Sequence, residues 1–103
     1  MWAQLITMKL KPGKDADLPR LYEKLRATEQ PDSGFVRALA LRDQDDPSRV
    51  YNLALFESEE KARAREQDPR RQEGLEEIRA IMGELFDGAP EFVNLTVIED
   101  TDG

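Results

Sequence analysis

Asn52 is a polar side chain within an otherwise apolar stretch, VYNLALF at residues 50–56. The alternation of this stretch is typical of a β-strand, and it places Asn52 on a face that we expect to be interior. A carboxamide there can donate a hydrogen bond to an oxygen of a bound molecule and stabilise negative charge that develops on it. The alternative is an interface amide whose hydrogen bonds are satisfied by a partner strand or by water.

Two further residues, Arg37 and Trp2, are candidates for a catalytic role. Arg37 interrupts an apolar strand, where a guanidinium could stabilise an enolate or a phenolate, but a charge there could equally guard the edge of a sheet. Trp2 is the only tryptophan. Its indole N–H could serve as a donor at the mouth of a cavity, or the ring could pack at a sheet edge or interface. The side chains that we expect to line such a cavity are Gln4, Ile6, Phe56 and Asn94.

The composition excludes several classes of function. The chain has 103 residues, the size of one domain, and its 22 acidic and 15 basic residues give a net charge of −7. Because phosphate binding needs a basic surface, we expect no nucleic-acid partner. The absence of Cys and His removes thiolate chemistry and the commonest ligands of zinc and haem. No stretch approaches the ~18 apolar residues that span a bilayer, and the first residues resemble a strand rather than a signal peptide. We therefore expect a cytoplasmic protein with no membrane partner.

Charged residues cluster in two places, and neither cluster predicts a binding site. The first is a run of arginines mixed with carboxylates, which is typical of a solvated helix face. Its arginines are Arg63, Arg65, Arg70 and Arg71. The second, Asp43, Asp45 and Asp46, has the alternate spacing of a calcium loop but lacks the glycine and the distant glutamate of an EF-hand, so we expect a hairpin turn. We predict no metal and no cofactor.

The elements that position these residues follow from periodicity and turn signals. Strands are predicted at 2–10, 35–42, 49–57 and 92–98, and helices at 15–29 and from 58 to about 86. Ser58 is expected to cap the second helix, Asp68-Pro69 to interrupt it, and the turn at 87–90 to close it. The order βαββαβ predicts a ferredoxin-like α+β fold, in which two helices cover one face of a four-stranded antiparallel sheet. We expect residues 1–103 to form a single domain with a frayed acidic tail at 99–103.

The predicted strands are apolar on both sides, although two helices can cover only one. In the third strand we assign Tyr51, Leu53 and Leu55 to the helices, so that Asn52 and its neighbours of the same parity need another cover. The large side chains of this second side are Ile6, Val50, Phe56, Phe92 and Ile98. Their burial contributes on the order of 10 kcal/mol per subunit, which offsets an association cost of roughly 4–15 kcal/mol. We predict a homodimer with facing sheets, a dimeric α+β barrel; the alternative is a monomer whose second side is covered by residues 58–88.

Three local motifs lie where predicted elements meet. The first strand ends in Lys11-Pro12-Gly13-Lys14 before a helix, Gly34-Phe35 opens the second strand, and the third strand continues through YNLALFESEE at residues 51–60 into the next helix. With the order and spacing of the elements over residues 2–98, these motifs resemble the antibiotic-biosynthesis monooxygenase-like domains of the dimeric α+β barrel superfamily.

The resemblance implies a cofactor-independent monooxygenase that acts on a small quinol or polyketide-type phenol. In characterised members, an Asn on the third strand and a Trp four residues later supply hydrogen-bond donors. Asn52 matches the Asn, and Phe56, which has no N–H, stands at the Trp position. The haem-degrading branch relies on a His ligand, which this chain lacks. The other function class that stays open is a non-catalytic dimer that binds a small apolar ligand or serves a stress-related role.

Overall fold

The protein forms a four-stranded antiparallel sheet with the strand order β2-β3-β1-β4. The computed structural model describes residues 1–103. The strands are β1 (Trp2–Leu10), β2 (Phe35–Arg42), β3 (Arg49–Phe56) and β4 (Phe86–Thr96). The helices are α1 (Leu18–Thr28), which follows a 3-10 turn at Asp15–Asp17, α2 (Glu59–Glu66) and α3 (Pro69–Leu85). The ferredoxin-like α+β prediction is confirmed, with its second helical segment divided into α2 and α3.

Local capping signals divide that helical segment where the sequence indicates. The Ser58 hydroxyl accepts a hydrogen bond from the Lys61 backbone N–H at 3.1 Å, which satisfies a donor in the first turn of α2. The Asp68 carboxylate does the same for the Arg70 backbone N–H at 2.9 Å, and Pro69 occupies the first position of α3. No helix of the protein combines the length and the apolar character needed to cross a membrane.

The last strand begins six residues earlier than predicted. Residues 87–90 continue β4 instead of forming a turn, and α3 passes directly from Leu85 into the strand. Gly88 has φ +69°, and the pairing of β1 with β4 shifts between Thr7 and Lys9, as at a β-bulge. Pro90 lies in this irregular stretch of an edge strand, a position where a residue without a backbone N–H is tolerated.

The helices cover the sheet face opposite to the predicted one. The larger core cluster joins α1 and α3 to this face through Met8, Val50 and Leu85, among others, and the smaller one joins Trp2 and Phe56 to α2. The assignment of Leu53 and its neighbours to the helices is therefore wrong. Alternation fixes which residues share a face, but it does not say which face the helices cover.

The opposite side of the sheet, here called the open face, has no cover within the chain. Its apolar side chains are Leu5, Leu39, Leu41, Leu53, Leu55, Val93 and Leu95. Leu39 pairs with Leu53, Leu53 with Leu5, and Leu5 with Val93, so that one apolar row crosses all four strands. Leu39, Leu41, Val93 and Leu95 are 38–46% exposed. The expectation that one side of the sheet needs a partner thus applies to this face.

Gly34 directly precedes β2 and packs against Lys61 of α2. Replacing Gly34 by alanine is expected to destabilise the fold. Its φ is +81°, and an added Cβ would stand 2.7 Å from the Cβ of Lys61, an atom fixed by the helix backbone. Gly13 is a matched control, since its φ is +77° and the space around it is open. We expect Gly13→Ala to cost about 1–2 kcal/mol for the left-handed backbone alone, and Gly34→Ala to cost more. Urea denaturation of both variants measures the difference; equal losses would contradict the contact with Lys61.

Candidate functional site

The predicted site residues, with the exception of Arg37, share the helix-covered face of the sheet. Trp2 pairs with Phe56, and Ile6 pairs with Asn52. Gln4 pairs with Asn94 on the other side of β1. These side chains therefore stand on the side of the sheet that the helices cover, with Asn94 exposed on the edge strand β4. From the sequence we predicted that these side chains lie between two facing sheets. That prediction is wrong, because the helices of the same subunit cover the face on which they stand.

Arg37 lies on the other side of the sheet. The pairing of β2 with β3 shifts between Phe35 and Arg37, so that Arg37 stands opposite Leu55 on the open face while Phe35 contacts the helix side. The structure does not bring Arg37 near Asn52. The residue is exposed on an edge strand, the position of a charge that guards a sheet edge.

Aromatic rings fill the end of the helix-covered face beneath α2. Trp2 and Phe56 are 7% and 2% exposed, with ring centroids 5.8 Å apart. The guanidinium of Arg63 lies 5.4 Å from the centroid of the Trp2 ring, and that of Arg65 lies 5.1 Å from the centroid of Phe56. These contacts make Trp2 a packed residue and not one at the mouth of a cavity.

Amide side chains lie on the same face, from β3 across β1 to the exposed edge strand β4. Gln4 donates from Nε2 to Oδ1 of Asn94 at 3.2 Å. Asn52 is half-buried and stands in a row with Ile6 and Phe92 across three strands. Its amide takes part in none of the side-chain hydrogen bonds of the chain, whereas Gln4 and Asn94 satisfy each other. Asn52 thus presents free N–H donors to the layer between sheet and helices.

A half-open cavity of about 410 Å³ lies beside these residues, between α3 and the β1–β4 side of the sheet. Its apolar lining is Met8, Leu75, Ile78, Met82, Phe86, Pro90 and Phe92. The volume is within the range of small-molecule sites. Phe92 joins the cavity to the Ile6–Asn52 row, and with strands ~4.8 Å apart the backbone of Asn52 is about 10 Å from that of Phe92. None of the predicted site residues lines the cavity itself.

A buried charge cluster lies where the C-terminal end of α1 meets α2 and α3. Arg65 donates from Nη2 and Nε to the carboxylate of Glu29 at 2.6 and 2.9 Å. Arg71 is only 6% exposed, donates from Nη1 to the backbone carbonyl of Arg65 at 3.2 Å, and has no partner for its Nε. The predicted solvated helix face is therefore wrong for Arg65 and Arg71. Burial and then the charge of Arg65 lower the pKa of Arg71.

Glu29 is expected to stabilise the fold in a pH-dependent way. Burial raises its pKa, but hydrogen bonds from Arg65 and Ser33 and the charges of both arginines outweigh burial and lower it below the ordinary 4.5. A lowered pKa in the folded state adds stability that is fully present above pH 4.5 and is lost as the pH falls through the folded pKa. We expect Glu29→Gln to lower the free energy of unfolding by about 2 kcal/mol at pH 7, and by less in acid.

The exposed Arg20–Glu84 pair offers the control for that measurement. Their side chains are 54% and 60% exposed, so Glu84→Gln should cost no more than about 0.5 kcal/mol. Urea denaturation at neutral and acidic pH compares the two variants with the wild type. A Glu29→Gln loss that is the same at both pH values would contradict the lowered pKa.

This chain resembles known proteins both in its sequence and in its fold. The antibiotic biosynthesis monooxygenase family matches residues 1–77. No curated protein matches the sequence. SnoaB, a cofactor-independent oxygenase from Streptomyces nogalater, has a TM-score of 0.74 at 20% identity, over 96% of this chain and 94% of SnoaB.

Two bacterial proteins described as antibiotic biosynthesis monooxygenases are similar in the same way. The one from Bordetella bronchiseptica has a TM-score of 0.76 at 18% identity, over 95% of this chain and 97% of its own. The one from Caulobacter crescentus has a TM-score of 0.75 at 20% identity, over 95% of this chain and 90% of its own. At these identities the likeness shows the fold, whereas the family match covers most of the sequence. The chain belongs to the antibiotic biosynthesis monooxygenase family.

Proposed function

We propose that the protein is a cofactor-independent monooxygenase that oxidises a small aromatic quinol or polyketide-type phenol within each subunit. The observation that carries the proposal is the free amide of Asn52, which points into the layer that also holds an apolar cavity of ligand size. The family and the fold shared with SnoaB support it.

The proposed reaction draws its electrons from the substrate. A ring methylene carbon, R₂CH₂, reacts with O₂ to give R₂C=O and H₂O. A 1,4-naphthohydroquinone, C₁₀H₈O₂, reacts with O₂ to give a hydroxynaphthoquinone, C₁₀H₆O₃, and H₂O. In both reactions one oxygen atom enters the product and the other leaves as water. The substrate reacts as its electron-rich anion. Asn52 would donate a hydrogen bond to the oxygen on which that negative charge develops, and the apolar walls would strengthen the bond by excluding water.

Oxygen uptake by the purified protein tests the proposal directly. With anthrone or 1,4-naphthohydroquinone as substrate, we expect O₂ consumption well above the rate in buffer, and one oxygen atom from ¹⁸O₂ in the anthraquinone formed from anthrone. Uptake equal to buffer with both compounds would refute the proposal. Prior incubation with a chelator should leave the rate unchanged.

We also propose that the active protein is a homodimer in which two open faces meet. The apolar row through Leu39, Leu53, Leu5 and Val93 supports this, since no other part of the chain reaches it. The two sites would lie on the outer sides of the paired sheets, one in each subunit. The cytoplasmic location expected from the sequence stays a prediction.

The second candidate function is non-catalytic binding of the same kind of ligand. Phe56 favours it, because this residue stands where a donor is expected, has no N–H and is 2% exposed. A protein of this kind would show a raised melting temperature with anthrone but no oxygen uptake. The two measurements on one preparation therefore distinguish the candidates.

A further inference from the structure

A second half-open cavity, of about 450 Å³, lies at one end of the open face. Thr7 and Lys9 of β1 line it, and by alternation both stand on the open side of that strand. The sheet is irregular here, because Thr7 pairs with Glu91 and Lys9 with Asp87, so that one residue of β1 faces three of β4 between these pairs. The cavity therefore lies where a bulge widens the sheet, on the opposite side from Asn52.

Side chains of opposite charge line two sides of this cavity. The cations are Arg49 on β3 and Lys9 on β1, and the carboxylates are Asp87 and Glu91 on the edge strand β4. Lys9 is the register neighbour of both Arg49 and Asp87, yet none of the four charges forms an ion pair within the chain. All four side chains are exposed, so a dissolved molecule can reach them. The cavity thus presents a positive side and a negative side with a gap between them.

The loop between β2 and β3 adds a third carboxylate to the lining, that of Asp46. It accepts hydrogen bonds from the hydroxyl and the backbone N–H of Ser48 at 2.6 and 3.2 Å, and the hydroxyl is the main cause that lowers the pKa of Asp46. With Asp46 ionised, three carboxylates and two cations surround the cavity. A simple anion is therefore disfavoured by the excess of negative charge. A simple cation is disfavoured by Lys9 and Arg49, which stand side by side and repel each other until a negative group binds.

We propose that this cavity binds a small amino-acid zwitterion. The carboxylate of the ligand lies beside Lys9 and Arg49, and its ammonium group lies beside Asp87 and Glu91. Each end then forms charge-assisted hydrogen bonds with side chains that lack an ion-pair partner in the chain. The volume is ample for such a molecule, and the site is independent of Asn52 and of the proposed oxygenase reaction.

Nuclear magnetic resonance titration of the ¹⁵N-labelled protein tests this with three probes of equal chain length. 4-Aminobutanoate carries both charges, whereas butanoate and butylamine each carry only one. We expect 4-aminobutanoate to shift the backbone amide signals of residues 7–9 and 87–91, and to bind about tenfold more tightly than either control compound.

Two variants assign the ends of the ligand. Lys9→Gln and Asp87→Asn should each weaken 4-aminobutanoate about three- to tenfold. Lys9→Gln should not weaken butylamine, and Asp87→Asn should not weaken butanoate, because each compound lacks the group that the substituted residue binds. Arg26→Gln and Glu73→Gln are the matched controls, since they remove exposed charges of α1 and α3 that line neither cavity.

The remaining outcomes contradict the inference. Absence of binding, or equal affinities for 4-aminobutanoate and butanoate, would overturn it. Losses in the matched controls as large as those in Lys9→Gln and Asp87→Asn would do the same, because net charge alone would then explain the effect. The amide spectra also show whether each variant is folded. None of these measurements depends on oxygen uptake, so the inference and the proposed oxygenase are tested separately.

Discussion

Replacing Leu53 by aspartate is expected to convert the homodimer into folded monomers. Leu53 lies at the centre of the open face, paired with Leu39 on one side and Leu5 on the other. In the proposed dimer an aspartate there would be buried without a partner, at a cost of roughly 3–5 kcal/mol, which raises the dissociation constant by about two to four orders of magnitude. Within one subunit the side chain is half-buried on an uncovered face, so the fold should persist.

Sedimentation velocity at micromolar concentration measures this effect. The wild type should sediment as a species of twice 11.8 kDa, and Leu53→Asp as a single chain. Ile98→Asp is the matched control, because Ile98 is 93% exposed and lies beyond the end of β4. A wild type that sediments as a single chain would rule out the homodimer, and dissociation of the Ile98→Asp variant would show that the effect is not specific to the open face.

The order of the elements could be predicted because its signals are local. Ser58 and Asp68 cap the helices that follow them, and Pro69 begins α3, through contacts within three residues of each cap. The sheet faces could not be assigned in this way. Val50 and Leu53 are both apolar residues of β3, so the strand itself gives no reason to place one of them under the helices. That choice depends on how the crossovers carry α1 and α3 over the sheet, which is tertiary information.

An irregular pairing of β2 with β3 explains why Arg37 lies on the opposite side of the sheet from the other predicted site residues. Arg37 follows a register shift in β2, and one extra residue in a strand changes the side on which every later side chain stands. Strict alternation cannot reveal such a shift.

The prediction that Arg71 lies on a solvated helix face is wrong for another reason. Its neighbours in sequence are charged, and they hide its place in the buried stripe of the helix. The spacing of Arg71, Leu75, Ile78 and Leu85 continues the buried stripe of α3 backwards by one turn, and this was the available signal. The cavity between α3 and β4 has no such signal, because its sheet wall forms only when β4 starts at Phe86.

Asn52→Ala is expected to reduce oxygen-dependent turnover about a hundredfold while leaving ligand binding nearly unchanged. Removal of one preorganised donor to a developing oxyanion has an effect of this size, because the bond is stronger in the transition state than in the bound substrate. Asn52→Asp should be at least as impaired, since it keeps the shape but replaces the N–H donors with a negative charge. Steady-state oxygen uptake gives kcat, and anaerobic titration gives the dissociation constant.

The comparison with Gln72→Ala separates this role from a structural one. Gln72 is an exposed amide on α3, and its removal should change neither rate nor affinity. If Asn52 were an interface amide, as its sequence also allowed, its replacement would weaken the dimer and lower stability, with kcat reduced only in proportion to the folded dimer. Asn52 lies on the helix-covered face, opposite the open face. This position argues that Asn52 acts as a donor to the substrate oxygen and not as an interface amide. A variant with wild-type kcat and impaired association would reverse that assignment.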